Sequence, residues 1–158
     1  MKKIHIILIA TFIFASCKKE IIRETTIIEN SSSISTFVVD SNNWRVSNQF
    51  LIATIDIPAI TQEIIDKGAV LIYQKENASW ISLPFSFTMN ASSPSTFVRV
   101  NHFVGYITIY RSNSDYSVPS NPGVRTFKCV ILTGDQLASH PEIDINNIQE
   151  LTNLEFKD

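Results

Sequence analysis

Leu51-Ile52-Ala53-Thr54-Ile55-Asp56-Ile57 decides the fold of this chain. Leu51, Ala53, Ile55 and Ile57 fall on one face of an extended segment and Thr54 and Asp56 on the other, because successive side chains of a strand point to opposite sides. Phe85, Phe87 and Met89 alternate in the same way with Ser86, Thr88 and Asn90. Outward from these two stretches, strands are expected over Thr36–Val39, Ala69–Tyr73, Trp80–Leu83, Thr96–Val100, Phe103–Tyr110 and Thr126–Leu132. Clusters such as Glu76-Asn77-Ala78-Ser79 and Asn90-Ala91-Ser92-Ser93-Pro94 supply the turns between them. From Cys17 onward, Ile, Val and Thr number 40 against 13 Leu and Ala, the bias that pleated, half-buried strands favour. Many short strands at close spacing predict an all-β fold, an antiparallel β-sandwich of the Ig-like or Greek-key type.

Two short helices are expected to interrupt it. Thr61 can cap a helix with Glu63 in its first turn and Lys67-Gly68 at its end, Gly68 allowing a left-handed exit. Near the C-terminus Ile145, Ile148, Leu151 and Leu154 recur at helical spacing, with Asn146 and Gln149 placed as a capping box. This helix is expected to lie across an open end or face of the sandwich. Arg111–Gly123 is a long connection with two prolines, Asp115 and Tyr116, and is the loop best placed to be functional or mobile.

The amino terminus has a different logic. Lys2 and Lys3 precede an apolar run from Ile4 to Phe14, broken by His5 and Thr11, and the small residues Ala15 and Ser16 follow. That is the layout of a secretory signal peptide, and the run is short for a membrane-spanning helix. Phe14-Ala15-Ser16-Cys17 resembles the lipobox of bacterial lipoproteins, with Phe14 standing where Leu is usual. The resemblance implies cleavage before Cys17, a diacylglyceryl group on its thiol and an acylated amine. Several acyl chains at ~0.8 kcal/mol per buried CH₂ then anchor the protein in a membrane. Lys18 stands where an inner-membrane retention signal would carry Asp, so an outer-membrane location is expected, with the face left open. The expected organisation is a signal peptide over 1–16, a lipidated Cys17 with a tether over 17–35, and one domain over 36–158.

Loss of Lys2 and Lys3 with the signal leaves eleven basic against fifteen acidic residues, a formal charge of −4. A nucleic-acid binder would show the opposite balance. Acylation of Cys17 leaves Cys129 as the single thiol, which excludes an intramolecular disulfide. Cys129 alternates with Phe127 and Ile131, so a packed, buried position is expected. His102 is expected in an exposed turn. In His140-Pro141-Glu142-Ile143-Asp144 three potential metal ligands alternate, but a polar connection in which Asp144 helps cap the next helix is the expected role. Four scattered glycines cannot build a phosphate loop, and no G-x-S-x-G, H-E-x-x-H or EF-hand pattern occurs. No catalytic residue, metal site or cofactor is expected, and the chain is not read as an enzyme.

Trp44, Ile57-Pro58-Ala59-Ile60-Thr61, Gly68-Ala69-Val70-Leu71-Ile72-Tyr73, Trp80 with Leu83-Pro84, and Phe127-Lys128-Cys129-Val130-Ile131 follow one another in this order. Together they resemble a small, functionally uncharacterised domain of Bacteroidota envelope lipoproteins, sometimes carried behind collagen-like stalks. The resemblance spans most of residues 40–155 and implies a scaffold without an active site. Trp44 and Trp80 are each large enough to bridge two sheets, given an acceptor for the indole N–H. The membrane, through the lipid anchor, is one expected partner. The leading functional reading is a structural or protein-interaction module. The alternative is a glycan- or small-ligand-binding surface lipoprotein. Tyr106, Tyr110 and Tyr116 would form its stacking platform, Tyr106 and Tyr110 sharing a strand face.

Overall fold

The computed structural model describes residues 25–27, 33–145 and 147–153. The expected signal peptide, Cys17, much of the tether, Asn146 and Leu154 lie outside them. In chain order the strands are β1 (Thr25–Ile27), β2 (Ser33–Val39), β3 (Arg45–Ser47), β4 (Phe50–Asp56), β5 (Ala69–Glu76), β6 (Ser79–Ser82), β7 (Phe85–Thr88), β8 (Ser95–Phe103), β9 (Tyr106–Asn113) and β10 (Arg125–Leu132). The helices are α1 (Gln62–Lys67), α2 (Gly134–Ser139) and α3 (Ile148–Asn153). Two five-stranded antiparallel sheets form, in the orders β1-β2-β10-β5-β6 and β3-β4-β9-β8-β7. β7, β8 and β9 make a meander, and β9 comes to lie beside β4 after the excursion of β5 and β6 into the other sheet. That is Greek-key order, so the expected all-β sandwich is what forms.

The alternation in β4 is the one expected: Leu51, Ala53 and Ile55 are at most 3% exposed, while Thr54 and Asp56 face solvent. Opposite them across the sandwich stand Phe37, Ile72, Phe127 and Cys129, with Phe37 and Phe127 stacked at 5.6 Å. Each fully buried Ile, such as Ile107 and Ile109, stabilises the fold by about 1.5–3 kcal/mol. Trp44 packs into this core and its Nε1–H donates to the Gly123 carbonyl at 3.1 Å.

The first sheet is covered on its inner face and over part of its outer one, where Thr36, Val38 and Lys75 stay exposed. On its outer side Tyr73, Val130 and Leu132 pack with Leu151 of α3, joined by Leu137 of α2 and by Ile143. Tyr73 donates its hydroxyl to the Ile145 carbonyl at 3.0 Å. Burial and, second, the Asp144 charge push that phenol up to about 12. Among the described residues the order is helices on sheet on sheet, and no described helix covers the outer face of the second sheet.

Several expectations are corrected. The first sheet starts at Ser33 rather than Thr36, because Ser33 and Ser35 fit the inner side of β2 opposite Ile131 and Cys129, and β1 pairs within the expected tether. His102 lies inside β8, paired with Ile107; the hairpin turns instead at Val104-Gly105, where Gly105 takes φ +83°. Met89 falls beyond the end of β7 and is 82% exposed. Trp80 does not bridge the sheets. It sits on the outer side of the first sheet between Lys128 and Lys75, 4.6 and 5.8 Å from its ring centre. Thr61 caps α1 as expected, accepting from the Ile64 N–H at 3.3 Å. Gly68, however, is extended rather than left-handed; glycine is needed there because a Cβ would come within 2.3 Å of the Leu132 carbonyl oxygen. The α3 cap is Asn147, whose carbonyl accepts from Leu151 N–H and whose side chain bonds Glu150. Helix α2 was not expected; Thr133 and Gln136 cap it reciprocally.

Candidate functional site

Two regions gather chemistry that the core does not use. The first is the bare outer face of the second sheet. Register places Tyr106, Thr108 and Tyr110 of β9 beside Asp56, Thr54 and Ile52 of β4, and beside Phe103, Asn101 and Arg99 of β8. Phe103 and Tyr106 stack at 4.8 Å, and both stay more than a third exposed, as does Phe97 at 44%. Arg99 lies over Phe50 and Tyr110 at 5.2 and 5.7 Å, while those two rings meet edge to face at 6.1 Å. Thr54 and Thr108 share a hydroxyl hydrogen bond of 3.2 Å between the two aromatic groups. No outward position of β4, β8 or β9 carries Lys or Glu.

The structure therefore brings Tyr106 and Tyr110 onto one outward face, as their spacing suggested, but it does not add Tyr116. Tyr106 opens β9, whereas Tyr116 lies past its other end, roughly 25 Å or more away along the strand. Tyr116 is 75% exposed in a turn, at φ +64°.

The second region is a cleft of about 520 Å³ where the two sheets part at one end of the sandwich. Arg111 of β9 and Arg125 of β10 reach it from the two sheets, Phe87 forms a wall, and the segment Ser117–Pro122 roofs it. That roof is the long loop, and it is pinned rather than loose. Asn121 Nδ2 donates to the Ser41 carbonyl at 2.7 Å, and Asn113 Nδ2 donates to Ser117 Oγ at 3.0 Å. Asp115, at the rim, is held below the usual carboxylate range by the Ser117 hydroxyl and N–H, both donating to it.

Arg111 is only 5% exposed, and its Nε and Nη1 have no acceptor among the described residues; the same holds for Arg125 Nε. Its guanidinium lies 5.5 Å from the Phe87 ring centre. Burial first, and the neighbouring Arg125 charge second, lower the Arg111 pKa to about 10, with Glu76 pulling the other way. Glu76 itself accepts a hydrogen bond from Gln74. Arg111 thus stays charged at neutral pH while its Nε and Nη1 find no acceptor among the described residues.

Neither arginine was singled out from the sequence, although the signal was there. Arg111 continues the inward series Ile107, Ile109, and Arg125 opens the series Phe127, Cys129, Ile131. A charged residue on the buried side of two alternating strands is the mark that was available.

The remaining expected residues have structural places. Cys129 is fully buried in the core. His140 Nδ1 meets Glu142 Oε1 at 3.3 Å on the surface, and no group of three metal-ligating side chains forms among the described residues. Compared with protein-family models, curated proteins and solved structures, the chain matches none.

Proposed function

We propose that this chain is a lipid-anchored protein of the bacterial outer membrane that acts by binding rather than catalysis, meeting another envelope protein through the bare face of the second sheet. One observation carries the reading. Among the described residues, α2 and α3 cover part of one outer face while no helix lies on the other, and that face has an interface's composition: aromatics and Arg enriched, Lys and Glu missing from its three central strands. Three central strands of seven to nine residues and two short edge strands, at about 4.8 Å spacing, give a face of roughly 500 Å², below the ~800 Å² each partner contributes to a standard interface but of the size of a smaller one. The lipobox-like sequence ending in Cys17 supports the anchor. Seven residues lie between Cys17 and Thr25 of β1, so eight Cα steps reach at most about 28 Å and keep the first sheet's edge close to the bilayer.

The glycan reading draws less support. A sugar platform needs an open ring face, and here Tyr106 stacks on Phe103 while Tyr110 is held by Phe50 and Arg99.

Phe97→Asp and Tyr106→Asp place a charge on this face at exposed positions. After cross-linking in intact cells, wild type is expected to co-purify with a defined set of envelope proteins that both variants lose at unchanged Tm. An identical set from wild type and variants would refute the interface. Cys17→Ala is expected to move the protein from detergent-extracted outer membrane to the soluble fraction; a variant still in the membrane would refute the anchor.

A further inference from the structure

We propose that the cleft under the Ser117–Pro122 roof is a binding site for a small organic carboxylate, held by the guanidinium groups of Arg111 and Arg125.

A cation this deeply buried is costly unless its donors are matched. Arg111 is 5% exposed, yet Nε and Nη1 find no protein acceptor, and Arg125 Nε is in the same position. These three nitrogens are themselves sealed from solvent, and they belong to the two arginines whose side chains line one cleft. A structural arginine would have recruited a carboxylate; the one within electrostatic reach, Glu76, hydrogen-bonds Gln74 instead. The planar guanidinium fork matches the two oxygens of a carboxylate.

Charge and shape set the ligand class. Among the lining residues the two arginines outweigh Asp115 by one positive charge, which a single carboxylate neutralises, with Glu76 behind Arg111 outside the lining. Asp115, kept ionised at the rim by Ser117, disfavours a second negative charge such as a phosphate dianion would bring. Phe87, Val118, Pro119 and Pro122 line the rest, so an apolar or ring-shaped body attached to the carboxylate has surface to cover. At about 520 Å³ the cleft has the size of a small-ligand pocket. This site is separate from the sheet face, and neither depends on the other.

The test is an NMR titration of the purified domain, following the Nε–Hε signals of Arg111 and Arg125 at constant ionic strength. Acetate, benzoate and D-glucuronate are the probes, with benzamide, D-glucose and inorganic phosphate as comparators. At least one carboxylate is expected to shift both signals saturably, and neither benzamide nor glucose is expected to. Arg111→Gln and Arg125→Gln are each expected to weaken that binding by about tenfold or more, the loss of a charge-assisted hydrogen bond, while Lys67→Gln on α1 leaves it unchanged. Three results would overturn the proposal: no response to any of the carboxylates, saturation by phosphate alone, or binding that survives Arg111→Gln in a folded variant. The wild-type titration stands if a variant fails to fold.

Discussion

Gly68→Ala tests how the corner between α1 and β5 is built. At φ −97° and ψ −162° alanine fits the backbone as well as glycine does, so conformational strain contributes nothing. The conflict is with space. A Cβ on Gly68 would stand 2.3 Å from the Leu132 carbonyl oxygen and 3.1 Å from that of Ile64. Both neighbours are backbone: Leu132 ends β10 opposite Ala69, and Ile64 O accepts the Gly68 N–H at 2.9 Å. Relieving the overlap moves β10 by about an ångström or opens the corner, an overpacking cost of about 2–3 kcal/mol. The stiffer unfolded chain of the alanine variant returns about 0.4–1 kcal/mol. The net loss is about 1–2.5 kcal/mol, or a Tm lower by roughly 3–10 °C for a domain of this size. Thermal unfolding by circular dichroism measures it, with Gly105→Ala as the contrast. Gly105 has open space but φ +83°, so its cost is conformational, and Gly105→Asn should recover part of it. If Gly68→Ala leaves Tm unchanged or higher, close approach is not why glycine stands there.

Other outcomes follow from the same packing. His102 is half-buried with Nε2 lacking an acceptor among the described residues, and burial lowers its pKa below the ordinary 6.5. The unfolded chain therefore takes up the proton first. Stability is full above about pH 6.5 and falls as pH drops through 6.5 toward the lower native pKa, and His102→Leu should flatten this slope in urea melts at pH 7.5, 6.5 and 5.5. Leu151→Ala empties the contact of α3 with Tyr73, Val130 and Leu132; a loss of about 2–5 kcal/mol is expected in denaturant unfolding, with faster amide exchange along α3. Arg111→Met replaces a buried charge whose Nε and Nη1 lack acceptors with an apolar chain of similar length, so Tm should hold or rise, where an arginine with a structural role would give a fall.

Stretches where every second residue is apolar were legible in the sequence. Leu51, Ala53 and Ile55 in β4, and Phe127, Cys129 and Ile131 in β10, recur at that spacing and are all buried. Hairpin positions were harder to read. Asn101-His102 has turn-like chemistry, yet the turn falls at Gly105, because burial of Val98 and pairing with β9 carry the strand past both polar residues. The α2 helix was hidden by its brevity: six residues starting at Gly134 show no periodicity, and its Thr133/Gln136 cap reads as loop sequence until the β10 exit is known. Trp80 was misplaced because a large aromatic fits either sheet face equally, and only the tertiary position of α2 and α3 makes the outer side of the first sheet a second core. Arg111 and Arg125 stayed unseen because each ends an otherwise apolar series, where a charge reads as the strand leaving the core; their convergence needs both sheets in place.

The central claim, that the uncovered face of the second sheet is the working surface, is tested most directly by placing a photoreactive phenylalanine analogue at Phe97 or Phe103 in the membrane-anchored protein and irradiating intact cells. The same analogue at Ile65, comparably exposed on α1, is the reference. Discrete, reproducible protein adducts are expected from Phe97 and Phe103 and none from Ile65. Adducts of equal yield from all three positions, or none from the sheet face, would contradict the claim.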